Sequence, residues 1–163
     1  MTPPVREMPG LDASQVERAR WAAVAESCTG GLLGAGRIEA WEEEHGSIGA
    51  GDRVLIRYGW DRRWATGPEG RRFLEDWPGL SGEAAEYLVG KGVSLVGCDT
   101  LAVDATVSTE NPAHYALLGS EVYIVENLKN LGRLPPFCLF LAFPLKIKGG
   151  SGSPVRAVAL IAP

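Results

Sequence analysis

Apolar residues fall in short runs separated by glycine, proline and carboxylates, and the clearest unit spans residues 92–128. The run at 93–96 has the composition and length of a buried strand. It empties into a loop carrying Asp99, Asp104 and Glu110. Asn111-Pro112 predicts a helix start, because Asn is a favoured N-cap and proline suits the first helical position. Gly119 predicts the end of that helix in the left-handed conformation. Residues 122–125 read as a returning strand that stops at Glu126. One unit thus gathers two strand ends, a helix N-terminus, one of only two histidines and several carboxylates.

The pattern elsewhere predicts alternating helices and strands. Asp12 predicts a capped helix over residues 13 to about 27, with Val16, Trp21, Val24 and Ala25 sharing part of one face. The glycine-rich run 28–36 matches neither GxGxxG after a strand nor GxxxxGK[ST], and reads as a connector pinned by Leu32 and Leu33. Residues 38–45 read as a short acidic helix ended by Gly46. His45 near its C-terminus suits capping better than metal binding, since that end of a helix favours a cation. Residues 53–58 read as a strand with Val54 and Ile56 on one side and Leu55 and Arg57 on the other. Residues 77–80 read as a turn, after which Ser81 caps a helix over 82–89. Residues 137–143 and 155–161 are strands expected to pair as a hairpin buried on at least one face.

His114 falls in the first turn of the helix that Asn111 starts. The positive end of a helix disfavours imidazolium, so a neutral ring able to act as a base or bind a metal is expected there. A helix advances about 1.5 Å per residue and a strand about 3.3 Å, so the chain can return Glu126 close to that helix start. The alternative is a histidine at a helix end and a solvated glutamate. Trp60 and Trp64, among charges after the strand that ends near Arg57, admit two readings. They wall a small-molecule pocket, or they cover the core edge with the arginines paired to Glu69, Glu75 or Asp76.

Composition narrows the classes. The 163 residues suit one domain, 1–163, with a sizeable core; hydrophobic content is 45% and charged content 22%. A net charge of −4 offers no general attraction to nucleic acid. No apolar run approaches the roughly 20 residues that span a bilayer, and the first residues lack a signal-peptide core, so a cytoplasmic location is expected. Three cysteines without CxxC spacing argue against a disulfide framework or a thiolate zinc site. Cys98 and Cys138 read as buried hydrophobes, and Cys28 has no visible activating base beside it.

Several motifs in order, GxDTxxxD from Gly97 to Asp104, NPAHYALLGSEVYIVENL and AFPLKIKGGSGSPVRAVAL, resemble the cyclase family, the kynurenine-formamidase-like metal-dependent hydrolases. The resemblance extends upstream through IEAWE, GDRVLIRYGWD and WPGLS to about Gly36, so residues 36–163 are expected to form the family core. Residues 1–35 then form a divergent N-terminal helix and glycine-rich connector. The resemblance implies a mixed α/β swivelling β/β/α fold, here N-terminally shortened, and assembly as a homodimer or larger homo-oligomer.

In that family a metal is held by an N-terminal HxGTHxDxPxH segment and by a downstream His and Glu. The downstream pair maps onto His114 and Glu126, whereas the N-terminal segment has no match. The expectation is therefore an enzyme that works without the metal. His114, with Glu126 or Asp99 as orienting partner, performs acid–base chemistry on a small carbonyl compound, by cyclisation, dehydration or hydrolysis. Trp60, Trp64, Arg57 and Asp104 are the expected substrate contacts. Two alternatives stand beside it. One is a zinc or manganese hydrolase that uses His114 and Glu126 and is completed by a full-length or N-terminal partner chain. The other is a non-catalytic homologue that binds a ligand or scaffolds.

Overall fold

The computed structural model describes residues 23–25 and 31–161. Four short strands, β1 (Ala23–Ala25), β3 (Arg53–Arg57), β5 (Leu95–Cys98) and β6 (Tyr123–Val125), form a parallel sheet in the order β1-β3-β5-β6. The register sets Ala23 beside Leu55, Val54 beside Val96 and Val96 beside Ile124. Before β3 come β2 (Leu32–Leu33) and helix α1 (Ala35–His45). Between β3 and β5 come two 3-10 turns (Trp60–Arg63 and Gly67–Leu74), β4 (Gly79–Leu80) and helix α2 (Gly82–Gly90). Helix α3 (Pro112–Gly119) joins β5 to β6, and a hairpin of β7 (Leu139–Pro144) and β8 (Val155–Leu160) closes the chain.

The alternation expected in β3 organises two cores. Val54 and Ile56 pack with Ile38 of α1, Ala84 and Leu88 of α2 and Ala113 and Leu117 of α3. Leu55 faces the other way and packs with Leu95, Val125, Leu128, Cys138 and Phe140. Helices therefore cover one face of the sheet and the hairpin covers the other, a mixed α/β arrangement with buried parallel strands. At Gly97 a Cβ would come within 2.7 Å of Leu55 and 2.8 Å of Leu128, so the second core closes directly over the bare backbone of β5.

The hairpin forms antiparallel as expected, from Leu139 beside Leu160 to Pro144 beside Val155. Its inner half is the covered one, and Phe143, Leu145 and Ile147 at the outer end are exposed. Buried Cys98 and Cys138 also match the expectation, and burial pushes the Cys98 thiol up to about 12, well away from a nucleophile's range.

Several local expectations are corrected. Residues 23–25 of the expected first helix are a strand, because pairing with β3 outweighs a weak helical pattern; residues 13–22, 26 and 27 lie outside the described residues, as does Cys28. Leu33 is buried as expected, but Leu32 is exposed, and the supposed turn at 77–80 supplies β4, which pairs with β2. A Cβ on Gly79 would meet the Ala105 amide nitrogen at 2.1 Å, so glycine is required where β4 passes the loop after β5. Helix α1 starts at Ala35, three residues early. Helix α3 ends at Gly119 as expected, but the left-handed residue is Glu121, with φ 60°. The Val122 amide returns to the Leu117 carbonyl at 2.9 Å and the Glu121 amide to Leu118 at 3.1 Å, the paired bonds of a Schellman closure. Val122 and Leu117 are both buried, and their contact places the turn two residues beyond the glycine.

Candidate active site

Parallel strands deliver their carboxyl ends to one edge of the sheet, where ligands of such sheets commonly bind. Here β3 delivers Tyr58, β5 delivers Asp99 and the loop to Asp104, and β6 delivers Glu126. Helix α3 begins at the same edge and brings His114.

The loop from Asp99 to Ala105 is held from three sides. The Leu80 amide donates to the Val103 carbonyl at 2.8 Å, Trp77 Nε1 donates to the Asp104 carbonyl at 2.9 Å, and the Asn127 amide donates to the Thr100 carbonyl at 2.9 Å. So fixed, the loop presents its own groups to the site. The Val103 amide donates to Glu126 Oε1 at 2.9 Å. The Asp104 carboxylate accepts the Ala113 amide at Oδ1 (2.9 Å) and the His114 amide at Oδ2 (3.0 Å). His114 Nδ1 lies 2.6 Å from Asp104 Oδ2, and Nε2 lies 3.3 Å from Glu126 Oε1. The histidine side chain is 33% exposed, Glu126 27% and Asp104 2%, so the ring reaches solvent while its inner partner does not. A half-buried imidazole in contact with two carboxylates has the neighbours that a general acid–base group uses.

The sequence brings His114 and Glu126 together as expected. Asp99 is placed elsewhere. Its buried carboxylate accepts the amides of Tyr58 at 2.8 Å and Trp60 at 3.0 Å, and so holds the turn after β3. Burial raises the Asp99 carboxyl above its ordinary value, and Asp61 adds to the effect, while the amides it accepts act the other way. The partner of the His114 ring is Asp104, which the sequence reading placed among substrate contacts. No local spacing rule points to a side chain ten residues upstream of the histidine; the loop geometry makes the contact.

The two tryptophans separate. Trp60 is 3% exposed, donates Nε1 to the Phe73 carbonyl at 3.0 Å and carries the Arg63 guanidinium 3.9 Å from its ring centroid. It is part of the core. Trp64 is 55% exposed and, with Asp61, Phe73, Asn127, Leu128 and Lys129, lines a cavity of about 180 Å³ beside the strand end that carries Glu126. Arg57 packs its guanidinium against Gly132, close enough that a Cβ there would meet Nε at 2.6 Å. His45 stacks on Trp41 at 4.6 Å and bonds the Trp41 carbonyl at 3.1 Å, in keeping with a role at the end of α1.

A catalytic zinc needs at least three protein ligands, with bonds of about 2.0–2.2 Å. His114 Nε2 and Glu126 Oε1 stand at a separation that two ligands of one ion can adopt. Among the described residues no third His, Cys, Asp or Glu joins them, so these residues by themselves do not fit a catalytic metal.

The fold and site define a mixed α/β protein with a histidine–carboxylate centre at the carboxyl edge of a parallel sheet. The chain belongs to the cyclase family, described as Putative cyclase, whose model matches residues 9–105. The isatin hydrolase of Roseibium aggregatum is 37% identical over 145 residues, covering 80% of this chain and 52% of that protein. The kynurenine formamidase of Salinibacter ruber is 40% identical over 93 residues, covering 55% and 44%. The crystal structure of an isatin hydrolase bound to the product analogue thioisatinate superposes with a TM-score of 0.83 at 34% identity, over 91% of this chain and 62% of that one. The chain spans about half the length of these two curated relatives. The family match begins at residue 9, upstream of the motifs that start near Gly36, and takes in the strand at 23–25. Among the described residues no helix is long and apolar enough to cross a membrane.

Proposed function

We propose that this chain carries the His114 half of a hydrolase site that cleaves an amide or lactone-like bond in a small carbonyl compound by general acid–base chemistry. The observation that carries the reading is the array Asp104–His114–Glu126 at the sheet edge. The names of the relatives, isatin hydrolase and kynurenine formamidase, point to small amides as the substrate class. The His114–Glu126 pair takes one proton from water as its oxygen attacks the carbonyl carbon. It returns that proton to the leaving nitrogen or oxygen as the C–N or C–O bond breaks. Glu126 stabilises the imidazolium formed in between. The cavity beside Trp64 offers an aromatic wall and the Lys129 ammonium to the body of the substrate.

The test is a screen of lactams, aryl formamides and lactones with purified protein, followed by His114→Ala on any substrate turned over. A positioned acid–base group contributes about 100-fold to 10,000-fold, so a loss in that range is expected with the fold retained. Full turnover by a folded His114→Ala protein overturns the reading.

A second reading is favoured by one distance. The 3.3 Å between Nε2 and Oε1 suits two ligands of one ion, so a partner chain that supplies the missing donors would complete a metal hydrolase. Stoichiometric zinc or manganese, found only when a second chain co-purifies, decides for it.

Self-association belongs to either reading. The exposed Phe143, Leu145 and Ile147 of the hairpin, and Tyr115, Leu118 and Tyr123 around α3 and β6, are surfaces that a homodimer could cover. Light scattering at micromolar concentration should give a mass above the monomer's; a monomer mass counts against assembly.

A further inference from the structure

Charge is segregated by position along the C-terminal half of the chain. Residues 92–128 contain five carboxylate side chains and no lysine or arginine. Residues 129–163 contain five lysines and arginines and no carboxylate side chain. Exposed apolar residues occur in both stretches. Tyr115, Leu118 and Tyr123 belong to the acidic one and Phe143, Leu145 and Ile147 to the basic one, and each is more than half exposed. We propose that these two surfaces bind each other across copies: the basic hairpin end of one molecule packs on the α3–β6 face of a second, and the second returns the contact. This goes beyond self-association, because it assigns both halves of the interface, and it does not depend on the hydrolase reading.

The two surfaces do not cover each other within one chain. Every residue from 143 to 152 is exposed, so the hairpin end stands clear of its own body. Helix α3 buries Ala113 and Leu117 and leaves Tyr115 and Leu118 outside. Tyr123 stands on β6, the last strand of its sheet. Exposed Glu110 and Glu121 bracket α3, and exposed Lys146, Lys148 and Arg156 accompany the apolar positions of the hairpin. Among the described residues none of these five charges has an ion-pair partner.

Large apolar side chains grouped on a surface mark contacts with other molecules, and here the charges select the partner. Like surfaces set face to face would bring lysine against lysine or glutamate against glutamate, which repel, whereas the basic surface attracts the acidic one. Every copy carries both, so the complement of each surface is a second copy. A two-fold pair makes the contact twice and closes. The partner's hairpin then braces α3, which carries His114, and β6, which ends beside Glu126.

Charge exchange tests the pairing. Lys146→Glu with Lys148→Glu makes both surfaces acidic, and Glu110→Lys with Glu121→Lys makes both basic. All four positions are exposed, and circular dichroism checks that each variant keeps the fold. Sedimentation velocity at micromolar concentration and low salt should give a dimer for the unaltered protein, with a dissociation constant that rises as salt is added. Each variant alone should bind itself at least about tenfold more weakly, because like charges now face each other. An equal mixture of the two variants should recover the dimer, since one molecule of each kind restores both contacts. A monomer for the unaltered protein overturns the proposal and leaves the hairpin to a different partner. A dimer that survives in either variant, or a mixture that stays monomeric, overturns it as well, because association would then use other surfaces. None of these measurements uses turnover. A substrate screen that fails leaves the masses where they are, and a failed exchange leaves the acid–base role of His114 standing.

Discussion

Helix α2 takes its cap from its own first turn, whereas α3 takes its cap from a loop on the far side of its N-cap residue. Ser81 Oγ accepts the Ala84 amide at 3.1 Å, three residues on, as a serine N-cap does. Asn111 occupies the corresponding position before α3, but its backbone is left-handed, with φ 47°, and its side chain caps nothing. Asp104 takes the Ala113 and His114 amides instead. A local cap stabilises its helix and nothing more. A cap delivered from the β5 loop also fixes where the helix starts relative to the sheet edge, and the same carboxylate holds the His114 ring. The contrast shows how a structural necessity, the satisfaction of helix N-terminal amides, can serve the geometry of a site.

The largest expected effect separates the two helix starts by function. His114→Ala should cost about 100-fold to 10,000-fold in turnover, whereas substitution at Ser81 should leave turnover per folded molecule unchanged. Assays of both variants on one substrate measure this, and equal losses would erase the distinction.

Stability comes next. Asp104→Ala leaves the buried Ala113 amide and the half-buried His114 amide without their acceptor, at about 1–3 kcal/mol for each group that stays dry. An expected total of roughly 2–4 kcal/mol can be read from urea unfolding. A loss below about 1 kcal/mol would place Asp104 in the same class as an ordinary cap.

Ser81→Ala should cost about 1 kcal/mol by the same method, the usual value for a lost serine cap. Asn111→Gly should change stability least, by no more than about 0.5 kcal/mol. The side chain makes no cap bond, and glycine accepts the positive φ that Asn already tolerates. A loss of 1 kcal/mol or more there would show that Asn111 does cap α3 in solution.

Much of this molecule could be read along the chain because the relevant physics is short-ranged. The serine cap and its helix, the alternation of β3 between two cores, the closing hairpin and the buried cysteines follow from spacing and residue type, whereas spacing only allowed Glu126 to return to the start of α3 and the family motifs paired it with His114. The motifs around Asp99, His114 and Glu126 carried the family resemblance as well. What the chain could not display were choices made by competition between distant groups. Residues 23–25 became a strand because β3 offered a parallel partner, which no local pattern announces. Trp60 and Trp64 look alike in sequence, yet one entered the core and the other lines a cavity, since only the packed turns define inside and outside. Asp99 and Asp104 are both buried acids in one loop. Which of them would hold a backbone turn and which an imidazole was decided by the crossing of β4 over that loop and by the helix amides waiting for an acceptor. Buried carboxylates must be satisfied, and only the tertiary structure determines which donors are within reach.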